Sequence, residues 1–382
     1  MTETAPAGGP LRGVRVVEFA GIGPGPLAGM LLADLGADVV VLERPQASEI
    51  TSLVPRRGVI ANRGKRLVTV DLKTEAGRGL ARSLIDRADV VLEGFRPGTI
   101  ERLGFGPDEL LRRRPALVIC RITGWGQEGP RSRTAGHDIT YLAVTGALDA
   151  IGRAGGPPVP PVNFLGDYAG GTLFAVLGIL AALFEARRTG VGQVVDAAMT
   201  DGVGALLAPT LGMLATGVWR SERGTNFIDT GAPFYDVYRT RDDKYLALGG
   251  LEEEFFAQLA KGLGLTEAEV EDRWNPARWP ALRARIAATV ATRTRDEWMA
   301  RFEGTDASVA PVLTVTEAAA DPANQARGAF VSIGGVVHPA PAPRFGRTPA
   351  RAPSPPPEAV TDGAVVLADW EGAGGTPAPG AA

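Results

Sequence analysis

Short runs of consecutive apolar residues, rich in valine and isoleucine, recur through the first half of the chain. They fall at residues 15–20 (RVVEFA), 38–43 (DVVVLE), 66–72, 89–93, 116–122 and 193–197. Such runs lack the in–out alternation of a half-exposed strand, so they predict strands covered on both faces, as in a parallel sheet. Between them lie segments of helical character at 27–35, ended by Gly36, and at 75–87. Strand and helix in alternation predict an α/β structure with helices on both sides of the sheet. A longer apolar helix is predicted at 168–188, stopped by Thr189 and Gly190. The strand at 193–197 then leads into another apolar helix running through Gly217.

Beyond this point the pattern changes. Residues 234–239 and 244–249 flank a charged turn of Arg241, Asp242 and Asp243 and read as a β-hairpin. Amphipathic helices are predicted at 252–263, 279–292 and 295–302. At 382 residues the chain exceeds what one core supports, roughly 250–300. The expected organisation is a flexible N-terminus (1–10), a large α/β domain (11–224) and a small α+β domain (225–325). A C-terminal return to the large domain (326–370) follows, with a strand after Phe330 and a Pro-rich passage at 339–357, then a mobile tail (371–382).

Composition narrows the functional classes. Hydrophobic residues make up 45% and charged residues 22%, which excludes a disordered or fibrous chain. The formal net charge is −3 with no concentrated basic segment, so nucleic acid is not an expected partner. The single cysteine, Cys120, lies in the apolar run 116–120 and reads as strand interior. One cysteine makes neither an internal disulfide nor a Cys-rich zinc site, and it fits a reducing compartment. Two histidines, His137 and His338, are too few for a multi-histidine metal cluster. The first ten residues are small, polar and Pro/Gly-rich, unlike a secretory signal. The longest apolar run, 173–184, is shorter than the roughly 20 residues that span a bilayer. A cytoplasmic protein with no membrane span and no metal is expected.

Residues 21–26 (GIGPGP) follow the first strand and open a helix, while Glu43 ends the second strand. This imitates the glycine fingerprint of dinucleotide sites, but Pro26 replaces its third glycine, and Pro24 and Pro26 lack N–H groups that a phosphate would use. A tight turn that lets the helix pack closely on the sheet explains the same residues. Arg44, just after Glu43, suits a phosphorylated nucleotide better than a bare ribose. His137 starts a predicted helix after a polar loop; a lone histidine is commonly structural, yet none is better suited as a general base near neutral pH. Asp167 precedes an apolar helix and reads as its N-cap. It also reads as a proton-handling carboxylate beside free N–H groups that flanking glycines leave approachable. Glu252, Glu253 and Glu254 open a helix, where acids are expected from the dipole alone.

Several segments recur in a telling order: 17–26 (VEFAGIGPGP), 32–39 (LADLGADV), 62–66 (NRGKR), 70–73 (VDLK) and 93–98 (EGFRPG). After them come 123–127 (TGWGQ), 136–139 (GHDI), 166–167 (GD) and 192–199 (GQVVDAAM). In this order and spacing the chain resembles the family III CoA-transferase superfamily, and within it the α-methylacyl-CoA racemase branch, over residues 11–370. The resemblance implies a Rossmann-like large domain plus a small α+β domain, interlocked with a second copy as a homodimer. Each active site would then lie between the large domain of one subunit and the small domain of its partner.

The same resemblance implies a 2-methylacyl-CoA thioester as substrate. It makes His137 and Asp167 the proton-transferring pair and Glu252 a support for the histidine. Positions matching CoA-contacting segments are Arg44, Val70, Asp71, Leu72, Lys73, Gly94, Phe95, Arg96, Arg102, Gly136, Asp138 and Tyr141. Arginine and lysine suit the CoA phosphates, and apolar and backbone groups suit adenine and pantetheine. The implied reaction is 1,1-proton transfer at C2 through an enolate, supported by N–H groups at the start of the Asp167 helix. It requires no separate cofactor, because CoA enters with the substrate. A CoA transferase is the alternative on the same fold, with Asp167 attacking the thioester and CoA passing between carboxylic acids. The GHDI segment favours the racemase. A CoA-binding protein without turnover is a third reading, disfavoured because both acid–base residues are present.

Overall fold

The computed structural model describes residues 8–46 and 53–372. Most of the expected flexible N-terminus, and the tail from residue 373, lie outside the described residues. The chain divides into two compact units. The first comprises the described residues of Met1–Thr145, Val162–Leu206 and Ala323–Ala382, and the second Gly146–Pro161 and Leu207–Pro322.

In the first unit the six apolar runs form one sheet. Its strands are β1 (Arg15–Phe19), β2 (Asp38–Glu43), β3 (Lys65–Thr69), β4 (Val90–Glu93), β5 (Val118–Thr123) and β6 (Val194–Ala198). They pair in parallel in the order β3-β2-β1-β4-β5-β6, the order of doubly wound sheets. Val16 of β1 pairs with Val39 of β2 on one side and Val90 of β4 on the other. Because side chains alternate along a strand, Val16, Val39, Val90, Val118 and Cys120 enter one core, where Ala175, Ile179 and Ala182 of a helix cover them. Val17, Val40, Val91 and Ile119 enter the opposite core, covered by Ala81, Leu84 and Ile85. Continuous apolar runs are therefore what this sheet needs. Cys120 is wholly buried, and burial pushes its thiol above the ordinary range, as befits strand interior.

The helix over Glu75–Ile85 starts at Thr74, whose Oγ1 accepts the Gly77 N–H at 3.0 Å. The long helix differs from its expected form. It begins at Phe164 as π-helical turns over Phe164–Leu173 and continues as an α-helix over Phe174–Thr189, ended by Gly190 at φ 76°. These 26 residues are long and apolar enough to cross a membrane, the one such helix among the described residues, whereas the apolar run 173–184 is not. Its Ala175, Ile179 and Ala182 face belongs to the sheet core. Two further strands, β10 (Phe330–Ile333) and β11 (Val336–Pro339), pair through Gly334 and Gly335, both at positive φ, as a tight hairpin turn requires. A helix at Gly363–Gly372 adds Val366 and Trp370 to the second core.

The second unit holds the expected hairpin, β7 (Tyr235–Arg239) and β8 (Tyr245–Gly249). An additional antiparallel strand, β9 (Val309–Val312), pairs with β8. Its Pro311 would argue against a strand, but β9 lies at the sheet edge, where a missing N–H is tolerated. Helices at Glu253–Leu263, Trp279–Val290 and Arg295–Phe302 close a core around Phe234, Leu246, Phe256, Ile286 and Trp298. The last of them is fixed by a capping box: Thr294 Oγ1 accepts the Glu297 N–H, and Glu297 accepts the Thr294 N–H.

Candidate active site

Ligands of open parallel sheets bind beyond the carboxyl ends of the strands, at the point where strand order reverses. Here that point lies between β1 and β4. The segments emerging from these ends are the turn at 21–26 after β1, Arg44 after β2, Val70 to Lys73 after β3, and Gly94 to Arg96 after β4. The segment carrying Gly136 and His137 follows β5.

The glycine-rich turn is held by its carbonyls. Buried Lys65 donates from Nζ to Pro26 O at 2.8 Å and to Glu18 Oε2 at 2.7 Å, and Thr172 Oγ1 donates to Pro24 O at 2.8 Å. Burial raises the Glu18 carboxyl and lowers the Lys65 ammonium. Gly23 adopts φ 70°, and a Cβ there would stand 3.1 Å from Asp167 Oδ2. The turn thus serves close packing, and its open side faces the candidate acid.

Asp167 lies within the π-helical segment, half-buried. Its carboxyl is raised above the usual range, chiefly by burial. Its Oδ2 accepts from Asn163 Nδ2 at 3.3 Å, which opposes the rise, as does the charge of His137; Asp138 adds to it. Asp167 is not the N-cap that its place before the apolar helix suggests. The helix starts at Phe164, one turn earlier, and the Asp167 N–H is already donated to Asp138 Oδ2 at 2.7 Å.

His137 immediately precedes the helix at Asp138–Thr145 and is exposed. Its N–H donates to Thr140 Oγ1 at 2.9 Å, while its carbonyl accepts the Thr140 N–H at 2.8 Å and the Tyr141 N–H at 3.2 Å. The backbone is pinned and the imidazole is left at the surface. Tyr141 is buried, edge-on to Trp125 at 4.8 Å. A Cβ at Gly124 or Gly136 would come within 2.0 and 2.4 Å of its ring, so both glycines make room for it. Burial raises the Tyr141 phenol, Asp167 adds to the rise and Arg96 opposes it. The first unit therefore brings His137, Asp167, Asp138, Tyr141 and Arg96 into one electrostatic neighbourhood.

The other sequence candidates divide by exposure. Arg44, Lys73, Gly94, Arg96 and Arg102 are exposed, Asp71, Leu72, Phe95 and Gly136 are half-buried, and Val70 and Asp138 are buried. Asp71 Oδ1 accepts the Lys73 N–H at 3.0 Å, and Arg102 donates to Thr99 Oγ1 at 3.0 Å. Two residues missed in the sequence shape this edge. Glu93 Oε2 accepts the Phe95 N–H at 2.6 Å, fixing the 94–96 loop, and Arg121 Nε donates to Glu93 Oε1 at 2.6 Å. The signal was an acid at the end of one apolar run, Glu93, and a base within another, Arg121, which the parallel register pairs.

Glu252 belongs to the second unit. It is exposed and extended (φ −70°, ψ 151°), and it is the N-cap residue of the helix Glu253–Leu263, where its side chain makes no capping hydrogen bond. Glu253 instead binds Arg273 Nη2 at 3.1 Å.

The model of CoA-transferase family III matches residues 11–362. The chain belongs to this family. Over 341 residues it is 45% identical to the α-methylacyl-CoA racemase of Mus musculus and 43% identical to that of Homo sapiens, in each case covering 89% of this chain and 87% of the relative. Its fold is similar to the crystal structure of a CAIB/BAIF family protein from Brucella suis, with a TM-score of 0.82 and 31% identity, covering 95% of this chain and 100% of that one. Within the family fold, the candidate segments of the first unit at 44, 70–73 and 94–96 directly follow the carboxyl ends of β2, β3 and β4, and Glu252 belongs to the second unit.

Proposed function

We propose that this protein is an isomerase that interconverts (2R)- and (2S)-2-methylacyl-CoA thioesters by 1,1-proton transfer. The observation that carries the reading is the link between two proton-handling groups from different elements: Asp138, directly after His137, accepts the Asp167 N–H at 2.7 Å. One removes the C2 proton from one face, leaving an enolate. The conjugate acid of the other returns a proton to the opposite face. Burial raises the Asp167 carboxyl above the ordinary aspartate range, which favours the protonated form that the return step needs. The identity to the racemases of mouse and human supports the same choice of substrate class. This chemistry asks for neither a metal nor a redox cofactor.

The exposed cations Arg44, Lys73, Arg96 and Arg102 are assigned to the CoA phosphates. Val70, Asp71, Leu72, Gly94, Phe95, Gly136 and Tyr141 are assigned to the rest of the CoA, with Asp138 contributing through its backbone. Glu252 is kept as the supporting carboxylate. A cytoplasmic homodimer is part of the proposal. Exposed Phe164, Leu173, Leu177 and Phe184 on the long helix support it, and so do exposed Leu211, Leu214 and Val218 of the second unit. The family also supports a second reading, a CoA transferase with Asp167 as nucleophile. Optically pure 2-methylacyl-CoA incubated without any carboxylic acid acceptor separates the two. Loss of optical purity is expected, and turnover only with an acceptor would favour the transferase.

A further inference from the structure

We propose that Asp138 is a positioning residue that holds Asp167 in place through its backbone and sets a buried carboxylate against it; the inference rests on the racemase reading. Asp138 follows His137 directly and opens the helix at Asp138–Thr145. Its side chain turns inward, with the residue 6% exposed, and its Oδ2 accepts the Asp167 N–H at 2.7 Å across 29 residues of sequence. A Cβ at position 166 would stand 2.5 Å from that oxygen, so only Gly166 admits the contact. One residue thereby ties the backbone of one proton-transferring group to that of the other.

A cap alone does not explain the second oxygen. Asp138 Oδ1 is buried and has no hydrogen-bond partner among the described residues. A buried charged oxygen without a partner is costly to keep, and a neutral asparagine would satisfy the same N–H. The negative charge has a use, however, because it makes Asp167 harder to ionise. The other groups around Asp167 leave this effect in place. His137 opposes it, Tyr141 is a phenol in the same neighbourhood, Arg96 acts there on Tyr141, and Asn163 is neutral. The facing turn 21–26 carries no charge. Asp201 of the neighbouring helix acts on Asp196, and Arg121 of β5 is paired with Glu93 and Glu101.

The test compares Asp138→Asn, Asp138→Ala and the wild type for C2 deuterium uptake across pH, with CoA-thioester affinity and melting temperature measured alongside. The Asn variant retains the hydrogen bond and loses the charge. For the enantiomer deprotonated by Asp167, the acid limb of its profile should move to lower pH. Its kcat should fall about tenfold at unchanged KM. The Ala variant should lose about a hundredfold, because Asp167 is also released. If the Asn variant fails to melt cooperatively, Gly166→Ala carries the test: both carboxylates remain but are pushed apart, and kcat should fall without loss of CoA affinity. An unshifted pH profile with wild-type kcat overturns the inference, and so does a defect confined to CoA affinity. A wild type that exchanges no C2 hydrogen would overturn the racemase reading itself, which is a different result.

Discussion

Gly23 faces the Asp167 carboxylate so closely that a methyl group on Gly23 would stand 3.1 Å from Oδ2. The relationship joins the first turn of the sheet to a helix more than a hundred residues later, and it explains a glycine that no phosphate requires. Gly23→Ala combines a backbone at φ 70°, strained for any side chain, with pressure on the acid. The variant should lose about 1–3 kcal/mol of stability and about tenfold in activity. Thermal melts and initial rates check this; an Ala variant as stable and active as the parent would remove the turn from the account.

Asp167 itself should cost the protein stability. Its folded pKa is raised, so the folded state binds its proton more tightly than the unfolded chain does. The ionised form is therefore disfavoured in the folded state above the folded pKa, and the cost disappears as pH falls below the unfolded value, near 3.9. Asp167→Asn, which keeps the partner Asn163 in place, should melt higher than the wild type at pH 7 and at nearly the same temperature at pH 3.5. A lower melting temperature for Asn at pH 7 would contradict the assigned burial.

CoA affinity should depend on the exposed cations at the carboxyl edge. Replacing Arg44, Lys73, Arg96 and Arg102 together by alanine should weaken CoA-thioester binding by about tenfold or more, and the deficit should shrink as salt rises. Calorimetric titration at two ionic strengths measures both effects. Unchanged affinity in a folded quadruple variant would move the CoA site elsewhere.

Most of the sheet is legible in the sequence, because a run such as DVVVLE has no exposed side to tolerate and must lie between two layers. β9 is not, because Pro311 conceals a strand that only an edge position permits. The start of the long helix is misread for a related reason: Asp167 resembles an N-cap, but its N–H is met by a carboxylate 29 residues away, which no local pattern announces. Glu93 ends one apolar run and Arg121 lies within another, and nothing local pairs them; they become a pair once β4 and β5 are set in register.

The three acids at the head of the Glu253–Leu263 helix should behave differently. Glu253 is engaged by Arg273, whose guanidinium also packs over Phe256 at 4.3 Å, so Glu253→Gln should lower stability and leave turnover largely intact. Glu252→Gln should reduce kcat with little effect on CoA affinity, and Glu254→Gln should do neither. Equal, small effects on kcat from all three would leave Glu252 as an ordinary residue of a helix start.

The most direct test of a two-sided acid–base pair is C2 deuterium incorporation from pure (2R)- and pure (2S)-2-methylacyl-CoA in deuterated water, followed by NMR in the wild type, His137→Ala and Asp167→Asn. The wild type should exchange and invert both enantiomers with no acceptor present. Each variant should lose inversion, and any exchange that survives should be confined to one enantiomer, opposite in the two variants. Inversion that persists in either variant, or residual exchange of the same enantiomer in both, would contradict the assignment.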